Sequence, residues 1–388
     1  MKNIKYKLFA YFFNFFRIYP IKNNSISLVI KHATHFKGNL KYVYDELKKD
    51  SNFELNLIYT EYVVDKNSIK DILSSLAHIF KLFIFRTYQL ARSDYIILND
   101  NFLPMAYMDI NTKTTVIQLW HAAGAFKKFG LSTETDPNVI EILKKISKKL
   151  DYVIVSSKDV IPFYAEAFGV DKKKVLALGI PRTDFYFKYN NNKVRNDLRK
   201  DFDVLYPDAK NKKIVLYAPT FRDDPVKDGN ILINFDVHLF NQQLMGHCLL
   251  VRFHPQINNN LIENNGYIDV TDYLDEKELL LISDILITDY SSIMIEFALL
   301  NKPMIFYPYD YDYYVNDERD FYIDYKKMVP GPIAEDIDEI VKIIKYKQYN
   351  IDIHKFLNGQ LDHFDGRNTQ RVVNLIYKIK NQKVDHLY

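Results

Sequence analysis

Ile285-Leu286-Ile287-Thr288-Asp289-Tyr290-Ser291-Ser292-Ile293-Met294-Ile295-Glu296-Phe297-Ala298 is an apolar, β-branched run that breaks at Asp289 and resumes at helical spacing. It reads as a buried strand, a short hydroxyl-rich turn and a helix start. Ser291 and Ser292 fall where the first helical N–H groups have no intrahelical partner, and Glu296 lies about one turn further along. Free N–H groups and the positive end of the helix dipole make such a place a site for an anion, with phosphate the natural guest. Ser and Asp also cap helices at ordinary strand-to-helix junctions, so the rest of the chain has to decide between the two readings.

Outward from this stretch, short apolar runs alternate with helical patterns. Ile26 to Ile30, Leu55 to Tyr59, Tyr95 to Leu98, Thr115 to Leu119, Tyr152 to Val155 and Val175 to Leu178 read as strands. Leu40 to Leu47 and Ile69 to Ala91 read as helices between them. After Asn190-Asn191-Asn192 and a charged stretch, a second series begins with Ile214 to Tyr217, Leu249 to Val251, Ile285 to Ile287 and Met304 to Tyr307. Continuous apolar strands separated by helices predict parallel sheets covered on both faces, an α/β protein with doubly wound halves. The expected division is a segment 1–20, a first domain 21–205 and a second domain 206–388. The last helix, Thr369 to Ile379, is expected to cross back to the first domain.

A chain of 388 residues, 48% of them hydrophobic, is long enough for roughly two to three domains with a sizeable core. The net charge of +3 is too small to argue for nucleic acid, and no RNP-type motif accompanies it. Cys248 is the single cysteine and sits in an apolar run, which excludes a disulfide framework and a cysteine metal site. Neither a G-x-x-x-x-G-K-S/T loop nor a G-x-G-x-x-G fingerprint is present. The first twenty residues set Lys2, Lys5, Lys7 and Arg17 among Leu8, Phe9, Tyr11, Phe12, Phe13, Phe15 and Phe16, without an acidic residue. Too short to span a bilayer and lacking a cleavage site, the segment suits a membrane surface. A first helix packed on the domain core is the competing reading. Leu73 to Thr87, with Lys81 and Arg86 interleaved, offers the same choice.

Polar residues at strand ends are the candidates for chemistry, because ligands of open α/β sheets gather at the carboxyl ends of strands. His121 directly follows the run ending in Leu119-Trp120, and Ala122, Ala123 and Gly124 then allow a substrate to approach the backbone. Its residue type fits a general base near neutral pH. Arg182 follows Pro181 at the next strand end and offers a fork for phosphate or carboxylate. Pro219, Thr220 and Arg222 end another strand, and Arg252 and His254 share one side of the run Val251-Arg252-Phe253-His254-Pro255.

In this order, the strings QLWHAAGAFKKFG, GIPRTDFYF, VLYAPTFRDD, VRFHP, ISDILITDYSSIMIEFALLNKPMIFYPYD, FYIDYKKMVPGP and DGRNTQRVV resemble the CDP-glycerol glycerophosphotransferase family of teichoic acid synthesis. The resemblance covers the chain from about Leu28. It implies a GT-B architecture, two Rossmann-like domains facing a central cleft, and transfer of glycerol phosphate from CDP-glycerol to an undecaprenyl-diphosphate-linked disaccharide with release of CMP. It further implies that His121 is the base and that His254 and Arg252 meet the donor phosphates, which would raise the histidine's pKa and make it a cationic donor. Trp120, Ala122, Ala123, Arg182, Pro219, Thr220, Ser291, Ser292 and Glu296 become substrate-binding positions. Polymerising members usually read W-H-G-T-P; Trp120-His121-Ala122 with K-K-F-G behind it is more like the primase type. No tightly bound cofactor and no protein metal site are expected, although Mg²⁺ can accompany the donor pyrophosphate. The expected partners are CDP-glycerol, the polyprenyl-linked acceptor and the cytoplasmic face of the plasma membrane. A polyol-phosphate polymerase, a GT-B glycosyltransferase and a catalytically silent membrane-surface protein are the alternatives.

Overall fold

A computed structural model describes residues 2–31, 36–60, 80–222, 231–232, 234–254, 266–273, 275–349 and 352–385. The chain divides into two compact units: Met1–Ala122, Phe129–Asp184 and Leu361–Tyr388 form the first, and Ala123–Lys128 and Phe185–Gln360 the second.

The first unit is built on a six-stranded sheet ordered β2-β1-β3-β4-β5-β6, parallel throughout. Its strands are β1 (Lys22–Ile30), β2 (Glu54–Tyr59), β3 (Ser93–Leu98), β4 (Thr115–Gln118), β5 (Tyr152–Val155) and β6 (Val175–Ala177). The apolar runs of β1, β3, β4 and β5 are buried on both faces, which is why the sequence shows no alternation there. The helix Asn368–Asp385 packs here on the helix Asn39–Leu47, sending Val372, Val373, Ile376 and Ile379 into the core beside Ile26, Leu28, Val43 and Leu47.

The second unit has a five-stranded parallel sheet, β11-β10-β7-β8-β9, of β7 (Lys213–Ala218), β8 (His247–Val251), β9 (Ile268–Asp269), β10 (Ile285–Thr288) and β11 (Met304–Phe306). Among the described strands only the two-residue β9 lies outside those expected from sequence; it carries too few apolar residues to register as a run. Cys248 is buried in β8 as a free thiol. The units divide after Asp184 rather than near residue 205, because the helix Asn192–Leu205 packs on the helix Glu276–Ile282, with Phe202 against Tyr273. The order of strands reverses between β1 and β3 in the first sheet and between β7 and β10 in the second. In open α/β sheets such reversals are where ligands bind, outside the strands' carboxyl ends.

Two expected elements take a different form. The part of the expected helix from 69 to 79 lies outside the described residues; beyond it, Lys81–Arg86 winds as a π-helix into the α-helix Thr87–Ala91. The first helix, Lys2–Phe16, has two apolar faces. Phe9, Ala10 and Phe13 are buried, with Phe9 edge-on to Phe102 at 5.4 Å, so the helix packs on its own domain. Ile4, Leu8, Tyr11 and Phe15, at spacings of four, three and four, remain exposed. Among the described residues no helix is long and apolar enough to cross a membrane.

Candidate active site

In the first unit the carboxyl end of β4 is bent to expose one histidine. Leu119 still pairs with β3 through its N–H to the Leu98 carbonyl at 2.8 Å, and then Trp120 takes a left-handed φ of 57°. That conformation costs a bulky L-residue on the order of 1–3 kcal/mol and persists only where the surroundings over-determine it. Here the Gln118 side chain accepts the Trp120 N–H at 2.9 Å, and the buried Asn39 amide donates to the Trp120 carbonyl at 2.8 Å. The indole is stacked on Phe129 at 5.0 Å and edge-on to Phe168 at 5.2 Å. Trp120, expected as a substrate contact, is therefore a buried pedestal.

The bend turns His121 out of the strand, half-exposed, with Nδ1 at 2.8 Å from Asp100 Oδ1 at the end of β3. With Nδ1–H donating to the carboxylate, the Nε2 lone pair is the one presented outward, the tautomer a general base requires. Asp100 did not figure among the sequence candidates. It lies in a polar loop after a strand, and only the parallel pairing of β3 with β4 brings it beside a residue 21 positions later. Asn39 escaped notice for the same reason. Its Oδ1 accepts the Arg182 N–H at 3.0 Å, which ties the turn Pro181–Thr183 to the His121 bend. The D-G-R-N-T string locks this turn from behind: Asp184 accepts the N–H groups of Asn368 and Thr369 at 2.9 and 2.8 Å, and the Asn368 amide donates to Thr183 at 3.0 Å. Ala122 closes the group, its carbonyl accepting from Tyr164 at 3.3 Å.

In the second unit the ends of β7 and β10 meet at the reversal point. Asp289 Oδ1 accepts the N–H groups of Thr220 and Tyr290 at 2.8 and 2.6 Å, so one carboxylate fixes both strand ends. Its other oxygen is 3.0 Å from Arg222, whose Nε also reaches Asp310 at 2.7 Å. The Arg222 side chain is fully buried among Tyr290, Tyr309 and Tyr314, each ring 5.1 to 5.4 Å away. Arg222 therefore serves as the keystone of the strand ends and not as a phosphate ligand. A guanidinium next to a strand end looks the same in sequence whether it faces a ligand or two carboxylates. Thr220, beside Pro219, is 6% exposed and its hydroxyl has no hydrogen-bond partner among the described residues. Buried hydroxyls are rarely left so, and a crevice ligand is the natural partner.

Ser291 and Ser292 stand at the start of the helix Ile293–Ala298, with Ser291 Oγ accepting the Ile293 N–H at 3.3 Å. Glu296 is buried and accepts from Tyr186 at 2.8 Å, so it holds the helix in place. Ala123 is buried in the second unit, next to Gly124, where φ is +65° and a Cβ would come within 2.6 Å of Ile295. Arg252 is occupied on its own unit: it donates to the carbonyls of Val270 and Tyr273 at 3.3 and 3.1 Å and lies 3.7 Å from Glu276. The His254 ring lies over Phe221 at 4.5 Å. Burial, then the charge of Lys127, push its imidazolium down to about 4, so without a bound anion the ring is neutral near pH 7. Asp223, Asp224 and Pro255 lie outside the described residues.

Among the described residues no three His, Cys, Asp or Glu side chains cluster as a metal site. A family model described as CDP-glycerol:poly(glycerophosphate) glycerophosphotransferase matches residues 11–378. The chain is 35% identical to a teichoic acid poly(ribitol-phosphate) polymerase of Bacillus spizizenii, over 99% of this chain and 61% of the polymerase. It thus spans less than two thirds of that relative's length. It is 32% identical to a teichoic acid ribitol-phosphate primase of the same organism, over 92% of each. A teichoic acid glycerol-phosphate primase of Bacillus subtilis is 31% identical over 88% of this chain and 89% of its own length. A structure of the wall teichoic acid polymerase TagF soaked with CDPG superposes with a TM-score of 0.78 at 24% identity, covering 99% of this chain and 96% of that one. That likeness shows the fold, a GT-B-type pair of Rossmann-like domains.

Proposed function

The chain belongs to the CDP-glycerol:poly(glycerophosphate) glycerophosphotransferase family, and on that premise we propose that it moves glycerol phosphate from CDP-glycerol to a hydroxyl of a polyprenyl-diphosphate-linked disaccharide. The acceptor oxygen attacks the β-phosphorus, the bond from that phosphorus to the bridging oxygen breaks, and CMP leaves. His121 takes the acceptor proton at Nε2. Thr220, Ser291, Ser292 and His254 hold the diphosphate at the end of the second sheet, and Arg252 keeps the His254 loop in place. Arg182 orders the turn beside the base. Phosphoryl transfer asks chiefly for in-line positioning and charge neutralisation, so its needs are a base and donors held around the phosphates. Any Mg²⁺ arrives on the donor diphosphate. The observation that carries the reading is the His121–Asp100 pair, an outward-facing base held in one tautomer at a strand end.

Asp100→Asn tests it. The amide can donate to Nδ1 and favour the wrong tautomer, so turnover should fall roughly 10- to 100-fold, less than loss of the base itself. Donor affinity, read by calorimetry with CDP-glycerol, should stay within about twofold, because the Asp100 carboxylate is paired with the histidine in the first unit and the proposed diphosphate residues belong to the second. Unchanged turnover in Asp100→Asn would remove the pair from catalysis.

The primase mode is the proposed one, a single unit added per acceptor, on the strength of Trp120-His121-Ala122 followed by Lys127-Lys128-Phe129-Gly130. Ribitol phosphate is the second reading, favoured by the relatives at 35% and 32% identity. Incubation with CDP-glycerol and CDP-ribitol in competition, with product mass as readout, assigns the polyol and counts the units. A ladder of products would replace primase by polymerase.

The protein works, on this proposal, at the cytoplasmic face of the membrane that holds its acceptor. The support is the outer stripe of the first helix: Ile4, Tyr11 and Phe15 are 65, 66 and 55% exposed, with Phe80 and Phe85 also exposed and Lys5, Lys7, Arg17 and Lys81 at the surface. Rings enter the acyl boundary and each cation adds about 1 kcal/mol on an anionic surface. Changing Ile4, Leu8, Tyr11 and Phe15 together to Ser should abolish sedimentation with anionic liposomes. The inner residues Phe9 and Phe13 are left intact, so the thermal midpoint should hold. Sedimentation equal to the unaltered protein would refute the surface role.

A further inference from the structure

Resting on the transferase reading above, we propose that Lys127, with Arg319 and His254, forms a diphosphate-binding subsite in the second unit, and that Lys127 is its principal charge. The segment Ala123–Lys128 pairs edge to edge with residues 320–322: Lys127 bridges Phe321, Lys128 N–H donates to the Asp320 carbonyl and Tyr322 N–H to that of Phe126, both at 2.9 Å. Side chains alternate across such a pairing, so two adjacent lysines meet different fates. Lys128 makes a 2.5 Å ion pair with Asp320, as surface lysines do. Lys127 is directed the other way, partly buried, with Nζ donating to the Tyr314 hydroxyl at 3.1 Å and lying 5.7 Å from that ring.

No carboxylate among the described residues makes an ion pair with Lys127. Burying an ammonium on a neutral phenol is unfavourable unless another anion arrives. Its neighbours point the same way. The Arg319 guanidinium lies 5.5 Å from the Phe221 ring, and His254 lies on that ring at 4.5 Å. Two distant segments thus bring a guanidinium and an imidazole onto one aromatic residue, with the charge of Lys127 acting on the same imidazole, and that residue directly follows Thr220, whose buried hydroxyl lacks a partner among the described residues. The groups acting electrostatically on Lys127 are Arg319 and Arg222, which oppose its charge, and Asp289 and Glu318, which favour it. Asp289 is already paired with Arg222, and Glu318 accepts from Tyr313 at 3.0 Å. Burial first, then Arg319, bring the Lys127 ammonium down to about 8. The protonated form needed to hold a phosphate therefore prevails below pH 8 and is lost above it.

The test is calorimetric titration of the full chain with CDP-glycerol, a diphosphate diester whose charge is constant over this range, and separately with inorganic pyrophosphate. K127M should weaken both at pH 7 by at least tenfold, while K128M changes neither. The affinity of the unaltered protein for CDP-glycerol should fall as pH rises from 7 to 9.5, and that fall should vanish in K127M. The thermal midpoint of ligand-free K127M should equal or exceed that of the unaltered protein, since an unpaired buried charge has been removed. K127R should retain binding with the fall above pH 8 abolished. K127M binding CDP-glycerol as the unaltered protein does, with transfer intact, would overturn the subsite and leave the transferase reading standing. Pyrophosphate binding lost in K127M, in a protein that does not bind CDP-glycerol, would keep the subsite and overturn the donor. A lower thermal midpoint in K127M, with a pH profile unchanged, would make Lys127 a structural residue and refute the proposal.

Discussion

His121→Ala should reduce transfer by on the order of 10²–10⁴ while donor affinity stays near that of the unaltered protein. In the proposed mechanism the base acts on the acceptor proton, and the residues assigned to the donor diphosphate all belong to the second unit. The imidazole lies 4.3 Å from the Trp120 ring and pairs with Asp100, but it is half-exposed, and the bend that presents it is held by Gln118, Asn39 and the Trp120–Phe129 stack. The variant should therefore keep its thermal midpoint within a degree or two. Stopped-assay turnover with calorimetry on the same sample separates the two effects. Turnover within about threefold of the unaltered protein would exclude His121 as the base.

Asp289→Ala should have the largest effect on stability. Asp289 accepts the Thr220 and Tyr290 N–H groups and pairs with Arg222 where both side chains are wholly buried. Removing it leaves a guanidinium in the core with Asp310 as its remaining carboxylate and two backbone donors without acceptors. Breaking a buried pair from one side costs about 3–5 kcal/mol, and for a unit of this size roughly 10 °C in Tm. Differential scanning calorimetry of the full chain should show the loss. A midpoint shifted by less than about 2 °C would mean that the Asp289–Arg222–Asp310 lattice is dispensable.

Much of the fold could be read from residues in sequence because its strands are buried on both faces. Continuous apolar runs such as Tyr95 to Leu98 and Ile285 to Ile287 have no other comfortable place. The ends of β4, β7 and β10 were legible too, since His121, Thr220 and Ser291 follow such runs directly. What sequence could not reveal is pairing across the sheet. Asp100 and Asn39 act on the His121 bend from other elements, and Asp310 acts on Arg222 from a loop 88 positions away. Each is an ordinary polar residue in a polar stretch. Burial of Arg222, occupation of Arg252 by carbonyls and the neutral state of His254 depend likewise on neighbours that only the folded chain supplies. The first helix shows the limit of reading one face at a time: Phe9 and Phe13 pack inward, as the core reading has it, while Ile4, Leu8, Tyr11 and Phe15 stay outside and are the stripe on which the proposed surface role rests.

The assignment as a polyol-phosphate transferase is tested most directly by the fate of the nucleotide. Purified protein, CDP-glycerol and a polyprenyl-diphosphate-linked disaccharide are incubated, and nucleotide and lipid products are separated and weighed by mass spectrometry. The expected result is CMP formed one-for-one with a lipid product heavier by one glycerol phosphate joined through a phosphodiester, both products falling by on the order of 10²–10⁴ in His121→Ala. No CMP from CDP-glycerol or CDP-ribitol, together with a nucleoside diphosphate and a new glycosidic bond from a nucleotide sugar, would contradict it.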